Sequence, residues 1–109
     1  MITRRVDRVL AVSTTDLFNN TDLRQAPGPG AIAIWGASDQ NDGTVSIRIG
    51  GISYTNANTI PNRGTNAPIL ENEEAPLALA PVRGGELVNV DYTEVTAATA
   101  RFLAVWSGI

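Results

Sequence analysis

The feature that most restricts the fold is a run of strict two-residue alternation that reverses across a pair of glycines. In Thr44-Val45-Ser46-Ile47-Arg48-Ile49 every second residue is apolar, the period of a strand with one face in a core. Gly50-Gly51 follows, then Ile52-Ser53-Tyr54-Thr55. Two glycines suit a primed two-residue turn, whose central positions take positive φ. Pairing across that turn sets Ile49 against Ile52 and Ile47 against Tyr54 on one face. Arg48 then faces Ser53, and Ser46 faces Thr55, on the other. The hairpin keeps one apolar face throughout, which fixes its register.

The same period recurs along the chain. Val6–Val12 and Ala31–Trp35 read as strands. Leu87–Tyr92 places Val88, Val90 and Tyr92 on one face, and Ala98–Trp106 places Ala100, Phe102, Ala104 and Trp106 on one face. Gly84-Gly85 reads as a second tight turn with Arg83 opposite Glu86, and Pro81 confines its own strand to a sheet edge. Ala26-Pro27-Gly28-Pro29-Gly30 is a rigid loop that continues no helix. Only Thr14–Arg24 suits a short helical turn, capped by Thr15 or Asp16 over Leu17 and Phe18. The expected architecture is all-β: one antiparallel, jelly-roll-like β-sandwich of about six to eight strands over residues 1–109, with an N-terminal arm at 1–5.

Chemistry is constrained by what the 109 residues omit: there is no His, no Cys and no Lys. His is the side chain that titrates near neutrality without perturbation, and Cys and Lys supply most other tunable nucleophiles. Ser-His-Asp and Cys-His triads, Schiff bases and zinc fingers are therefore excluded. Eleven acids and eight arginines give a net charge of −3, a poor balance for neutralising phosphates, so no nucleic acid is expected as a direct partner. No apolar run reaches the length of about 18 residues that spans a bilayer, so no membrane partner is expected either. The opening Met1-Ile2-Thr3-Arg4-Arg5 does not read as a secretory signal, because Asp7 and Arg8 interrupt its apolar stretch.

Two acidic groupings offer candidate sites. Asp39-Gln40-Asn41-Asp42-Gly43 has oxygen ligands at alternate positions, as a calcium loop would. It lacks the later Gly and Glu of that pattern and reads as an Asp-Gly turn. Glu71, Glu73 and Glu74 could pair with Asp91 or Glu94 as glycosidase carboxylates, but such work needs two environments within one cleft. The expectation is exposed charge, with no catalytic residue, no metal and no cofactor.

Interface residues are better supplied. Arg4 and Arg5, with Arg8, form the basic cluster, and arginine forks suit protein contacts. Arg63 lies in the long polar loop between 56 and 75. Trp35, Phe102 and Trp106 read as core. Trp106 and Ile109 also close the chain on an apolar end of the kind that tucks against a neighbour.

Ser13-Thr14-Thr15-Asp16-Leu17-Phe18, Pro27-Gly28-Pro29-Gly30-Ala31-Ile32-Ala33-Ile34, Pro81-Val82-Arg83-Gly84-Gly85-Glu86-Leu87 and the Thr/Ala-rich last strand carry a resemblance. In these segments the chain resembles the accessory capsid proteins of tailed bacteriophages, the decoration, cement or head-fibre proteins. The resemblance implies an all-β fold and no catalysis. It also implies a place on the virion surface bound to the major capsid protein, as a homo-oligomer and most often a trimer. Arg4, Arg5, Phe18, Arg63, Trp106 and Ile109 are the interface residues expected on that reading. The alternative is a carbohydrate-binding β-sandwich, free or on a phage appendage, which needs Trp35 or Trp106 exposed in a shallow groove.

Overall fold

The computed structural model describes residues 2–64, 69 and 72–108. They form seven strands: β1 (Thr3–Leu10), β2 (Gly30–Ser38), β3 (Thr44–Ile49), β4 (Ile52–Thr59), β5 (Ala78–Val82), β6 (Val88–Thr93) and β7 (Ala100–Gly108). One sheet has the order β1-β7-β2-β5 and the other β4-β3-β6, with every pairing between strands antiparallel. The expected all-β sandwich is the fold. The two inner faces supply one core, because alternate residues of each strand point the same way. Ile32 and Ile34 of β2 and Phe102, Ala104 and Trp106 of β7 meet Val45, Ile47 and Ile49 of β3 and Val88, Val90 and Tyr92 of β6. Tyr92 and Phe102 pack edge to face across the layers, with ring centroids 5.7 Å apart, a geometry that adds about 1 kcal/mol to area burial.

No helical turn forms between residues 14 and 24. Instead this segment runs along β6 through a series of turns. Thr14 exchanges both backbone hydrogen bonds with Tyr92 at 2.9 Å, the Leu17 N–H donates to the Val90 carbonyl, and the Val88 N–H donates to the Arg24 carbonyl. Leu17, Phe18 and Leu23 are fully buried beneath it. The three apolar residues suggested a helix, but the turn-favouring Asp16, Asn19, Asn20 and Asp22 around them break it into turns. Asp16 and Asn20 sit at φ 48° and 63°. Counted as a degenerate strand, the segment completes a second four-membered layer, 14–25 then β6, β3 and β4. The two layers together have the strand order of a jelly roll.

The β3–β4 hairpin begins in the expected register, with Ile49 opposite Ile52 and Arg48 opposite Ser53. Gly50 and Gly51 take φ 61° and 82°, as a primed turn requires. The register then departs from expectation: Ile47 faces Thr55 rather than Tyr54, and Val45 faces Asn58. Two bulges cause this. The Thr55 hydroxyl takes over the ladder, accepting from the Ile47 N–H at 3.0 Å and donating to the Val45 carbonyl at 3.2 Å. Ala57, at φ 52°, donates its N–H to the Ser46 hydroxyl at 2.8 Å.

Gly84-Gly85 is not a hairpin turn. β5 and β6 lie in different sheets, so the pair carries the chain across the sandwich. Glu86 does not act as a cross-strand partner of Arg83. Its carboxylate accepts the backbone N–H groups of Arg83 and Gly84, both at 2.6 Å, and the Gly85 N–H donates to the Ala26 carbonyl. Nor do residues 3–5 form an arm. Thr3, Arg4 and Arg5 pair with Ser107, Trp106 and Val105 as the first three residues of β1.

Candidate protein interface

The expected interface residues separate once they are placed. Arg4 and Arg5 are exposed on β1, and strand alternation sends their side chains to opposite faces of the sheet. Phe18 is fully buried, so it belongs to the core and not to a surface. Trp106 is 6% exposed and its indole N–H donates to the Gly28 carbonyl at 3.1 Å, which ties the Pro-Gly loop to the last strand. It too is core. Ile109 lies outside the described residues. Arg63 is half-buried, holding Glu74 at 2.9 Å while its backbone N–H donates to the Ser38 carbonyl. Its visible role is to fasten the long loop to the end of β2.

What the outward-facing residues of the first sheet build was not evident beforehand. In register across β1, β7, β2 and β5 stand Arg5, Val105, Ala33 and Leu79; the next row holds Asp7, Leu103 and Trp35. Leu79 is 62% exposed and Val9 is 52% exposed. Leu103 is fully buried although it points away from the core, so side chains around it close over it. This face is apolar in the middle, with charge from Arg5, Asp7 and Arg101 toward the β1 side. Depleted charge at the centre with a polar rim is the usual composition of a protein contact surface.

Two depressions flank it. The larger, about 670 Å³, opens between the edges of β4 and β5 and is lined by Ile52, Tyr54, Pro81, Val82, Arg83 and Glu86 among others. The smaller, about 280 Å³, lies beside Trp35 against Pro61, Glu74 and Ala75. Trp35 is half-buried there and donates its indole N–H to the Glu74 carbonyl at 2.8 Å.

The acidic residues hold loops together. Asp42 accepts both the backbone N–H and the hydroxyl of Thr96, and those bonds, the hydroxyl's first, draw its pKa below the usual aspartate value. Asp39 accepts the Thr99 N–H at 2.9 Å. The 39–43 turn thereby braces the β6–β7 connection. Glu86 is likewise held below the ordinary glutamate range, chiefly by the Arg83 N–H. Burial pushes the Tyr92 phenol up. Glu74 lies beside Trp35 on the outer side of one sheet, while Asp91 lies on the outer side of the other and accepts the Asp16 N–H at 2.7 Å. Those two carboxylates do not converge. Among the described residues, no group of three His, Cys, Asp or Glu is placed to hold a metal ion, and no helix is long and apolar enough to cross a membrane. No protein family, curated protein or solved structure matches the chain.

Proposed function

We propose that this protein is a non-enzymatic structural component of a tailed-phage virion, a decoration or cement protein that binds the major capsid protein lattice as a homo-oligomer, a trimer by the family pattern. The observation that carries the reading is the outer side of the first sheet. Leu79, Ala33 and Val105 form an apolar band across three strands; Arg5 ends that row on β1, and Arg4 stands exposed on the other face of the same strand. A module that reinforces a lattice needs contact area and anchoring charge, and it needs no titrating group. The jelly-roll order is compatible with this reading, since viral capsid proteins use it, as do lectins.

The experiment is attachment to phage particles lacking the protein, read by co-sedimentation. The wild-type chain should sediment with the particles, and the Arg4→Glu/Arg5→Glu variant should bind at least roughly tenfold more weakly, because reversed charges at a contact oppose docking. Charge reversal is a cleaner probe than deleting residues 1–5, which would also remove three rungs of β1. A wild-type protein that stays in the supernatant overturns the proposal. The half-buried Trp35 beside its depression favours the alternative carbohydrate-binding reading. Sugar-dependent quenching that disappears in Trp35→Ala would select it.

A further inference from the structure

The sheet edges differ in how they are finished. Along β6, Val88, Val90 and Tyr92 are hydrogen-bonded to the 14–24 segment. β4 is interrupted by two bulges, and β5 has five residues, Pro81 among them. Bulges, shortness and proline all keep a sheet edge from pairing with another chain. β1 carries none of the three: its eight residues pair with β7 without a register shift. The Gly108 N–H donates to the Ile2 carbonyl at 2.7 Å, which makes the even-numbered residues of β1 the ones bonded to β7. Thr3, Arg5, Asp7 and Val9 therefore turn their backbone groups to the open side.

What β1 carries instead is charge, on Arg4, Arg5, Asp7 and Arg8, and edge charges choose a partner through the register in which they meet it. An antiparallel second copy sets outward residues against outward residues, so the two-fold axis passes through one residue of the strand. At Arg4, Arg5, Asp7 or Arg8 that residue would face its own like charge, which is unfavourable in a sheet. At Val6 it faces an apolar twin. Arg5 then meets the second copy's Asp7, Asp7 meets the second copy's Arg5, and Thr3 and Val9 pair in the same reciprocal way. We infer that β1 pairs antiparallel with β1 of a second copy of this chain about Val6, joining the two β1-β7-β2-β5 sheets into one.

The charges of both faces enter the balance. Around the axis each Arg5 lies between two aspartates, its own chain's Asp7 two residues along and the second copy's Asp7 across. Arg5 already has an interaction within the single chain. A guanidinium has five N–H donors, so the pairing adds a contact to Arg5 rather than taking one away. On the other face the same register sets Arg4 against Arg8. The Arg8 guanidinium donates to the Leu17 carbonyl, which draws its head toward the 14–24 segment instead of across the strand and lessens that repulsion.

The inference goes beyond the capsid reading, and its test uses no capsid, so the two fail separately. A two-fold contact at β1 also leaves other surfaces for the three-fold contacts of a trimer. Sedimentation equilibrium of the intact protein should show monomer and dimer, and amide exchange followed by NMR should slow at Asp7 and Val9 as concentration rises. Arg5→Asp sets acid against acid and Asp7→Arg sets arginine against arginine, so each variant alone should dimerise at least roughly tenfold more weakly. An equimolar mixture of the two puts acids on one β1 opposite arginines on the other and should dimerise again, as should the double variant Arg5→Asp/Asp7→Arg. Arg4→Gln removes the like-charge pair and should associate at least as tightly as wild type. All three positions are exposed, and the folded spectrum of each variant checks that only the contact has changed. A wild type that stays monomeric up to about 1 mM overturns the inference and leaves the edge to a different chain. A mixture no tighter than its components overturns it too, as does concentration-dependent protection that spares β1.

Discussion

Phe18→Ala should cost roughly 3–5 kcal/mol of folding stability, the range for deleting a buried aromatic ring. It should leave the proposed capsid attachment of the folded protein unchanged. Phe18 is fully buried under a segment with no regular secondary structure of its own, and that segment is what closes the β6 edge. Removing the ring empties the space beneath it and loosens the bonds from Leu17 to Val90 and from Val88 to Arg24. Denaturant unfolding measures the loss, and binding at low temperature, where the variant is still folded, measures attachment. A change in stability below about 0.5 kcal/mol, the usual effect of a surface substitution, with attachment abolished, would return Phe18 to the interface that its sequence context suggested.

Gly30→Ala should destabilise the sandwich comparably, by roughly 3–5 kcal/mol, since strain and overpacking each cost about 1–3 kcal/mol and here they coincide. Gly30 begins β2 at φ 155°, and a Cβ there would overlap the Ser107 carbonyl oxygen and stand 3.0 Å from the Gly108 Cα. Both obstacles are backbone, in the strand that also carries β1. Relief would have to come from parting β2 from β7 at the end where Trp106 is tied to Gly28. For a domain of this size the melting temperature should fall by about 15–25 °C. Gly51→Ala is the control: its φ is 82° but nothing lies within 4 Å of a Cβ, so it should cost only about 1 kcal/mol. Equal losses at the two positions would mean that the β2–β7 contact yields more easily than its geometry indicates.

The parts of the fold legible in the sequence were those written in local periodicity. Val45, Ile47 and Ile49, then Val88, Val90 and Tyr92, and Phe102, Ala104 and Trp106 all alternate, and all are buried as alternation demands. The first turn was legible because Gly50-Gly51 sits between two segments whose apolar residues match across it, Ile49 against Ile52. Other features depend on pairing between distant segments, which composition does not record. Gly84-Gly85 has the same turn chemistry whether its flanking strands pair or cross the sandwich. The β4 bulges arise because Thr55 and Ser46 hydroxyls substitute for ladder groups, and Tyr54–Thr59 carries no apolar alternation to resist the slip. Leu17, Phe18 and Leu23 announced burial but not the form it would take.

The candidate site was legible only in its charges. Arg4 and Arg5 were singled out as a basic cluster, and they are exposed as an interface would need. That they lie on a regular edge strand could be known only once β1 was seen beside β7. Trp106 reads both as core, by its alternation with Phe102 and Ala104, and as an apolar end that docks; the core reading holds, with its indole buried against the Gly28 carbonyl.

The account places β1, among the described residues, as a regular edge strand without the bulges of β4 or the proline of β5, and amide exchange in the free, monomeric protein measures this residue by residue. Exchange should alternate along the strand, slow at Arg4, Val6 and Arg8 and fast at Asp7 and Val9. At the β6 edge Val88 and Tyr92 should both be slow, because Arg24 and Thr14 accept from them. Slow exchange at Asp7 and Val9 in the isolated monomer, or fast exchange at Tyr92, would contradict it.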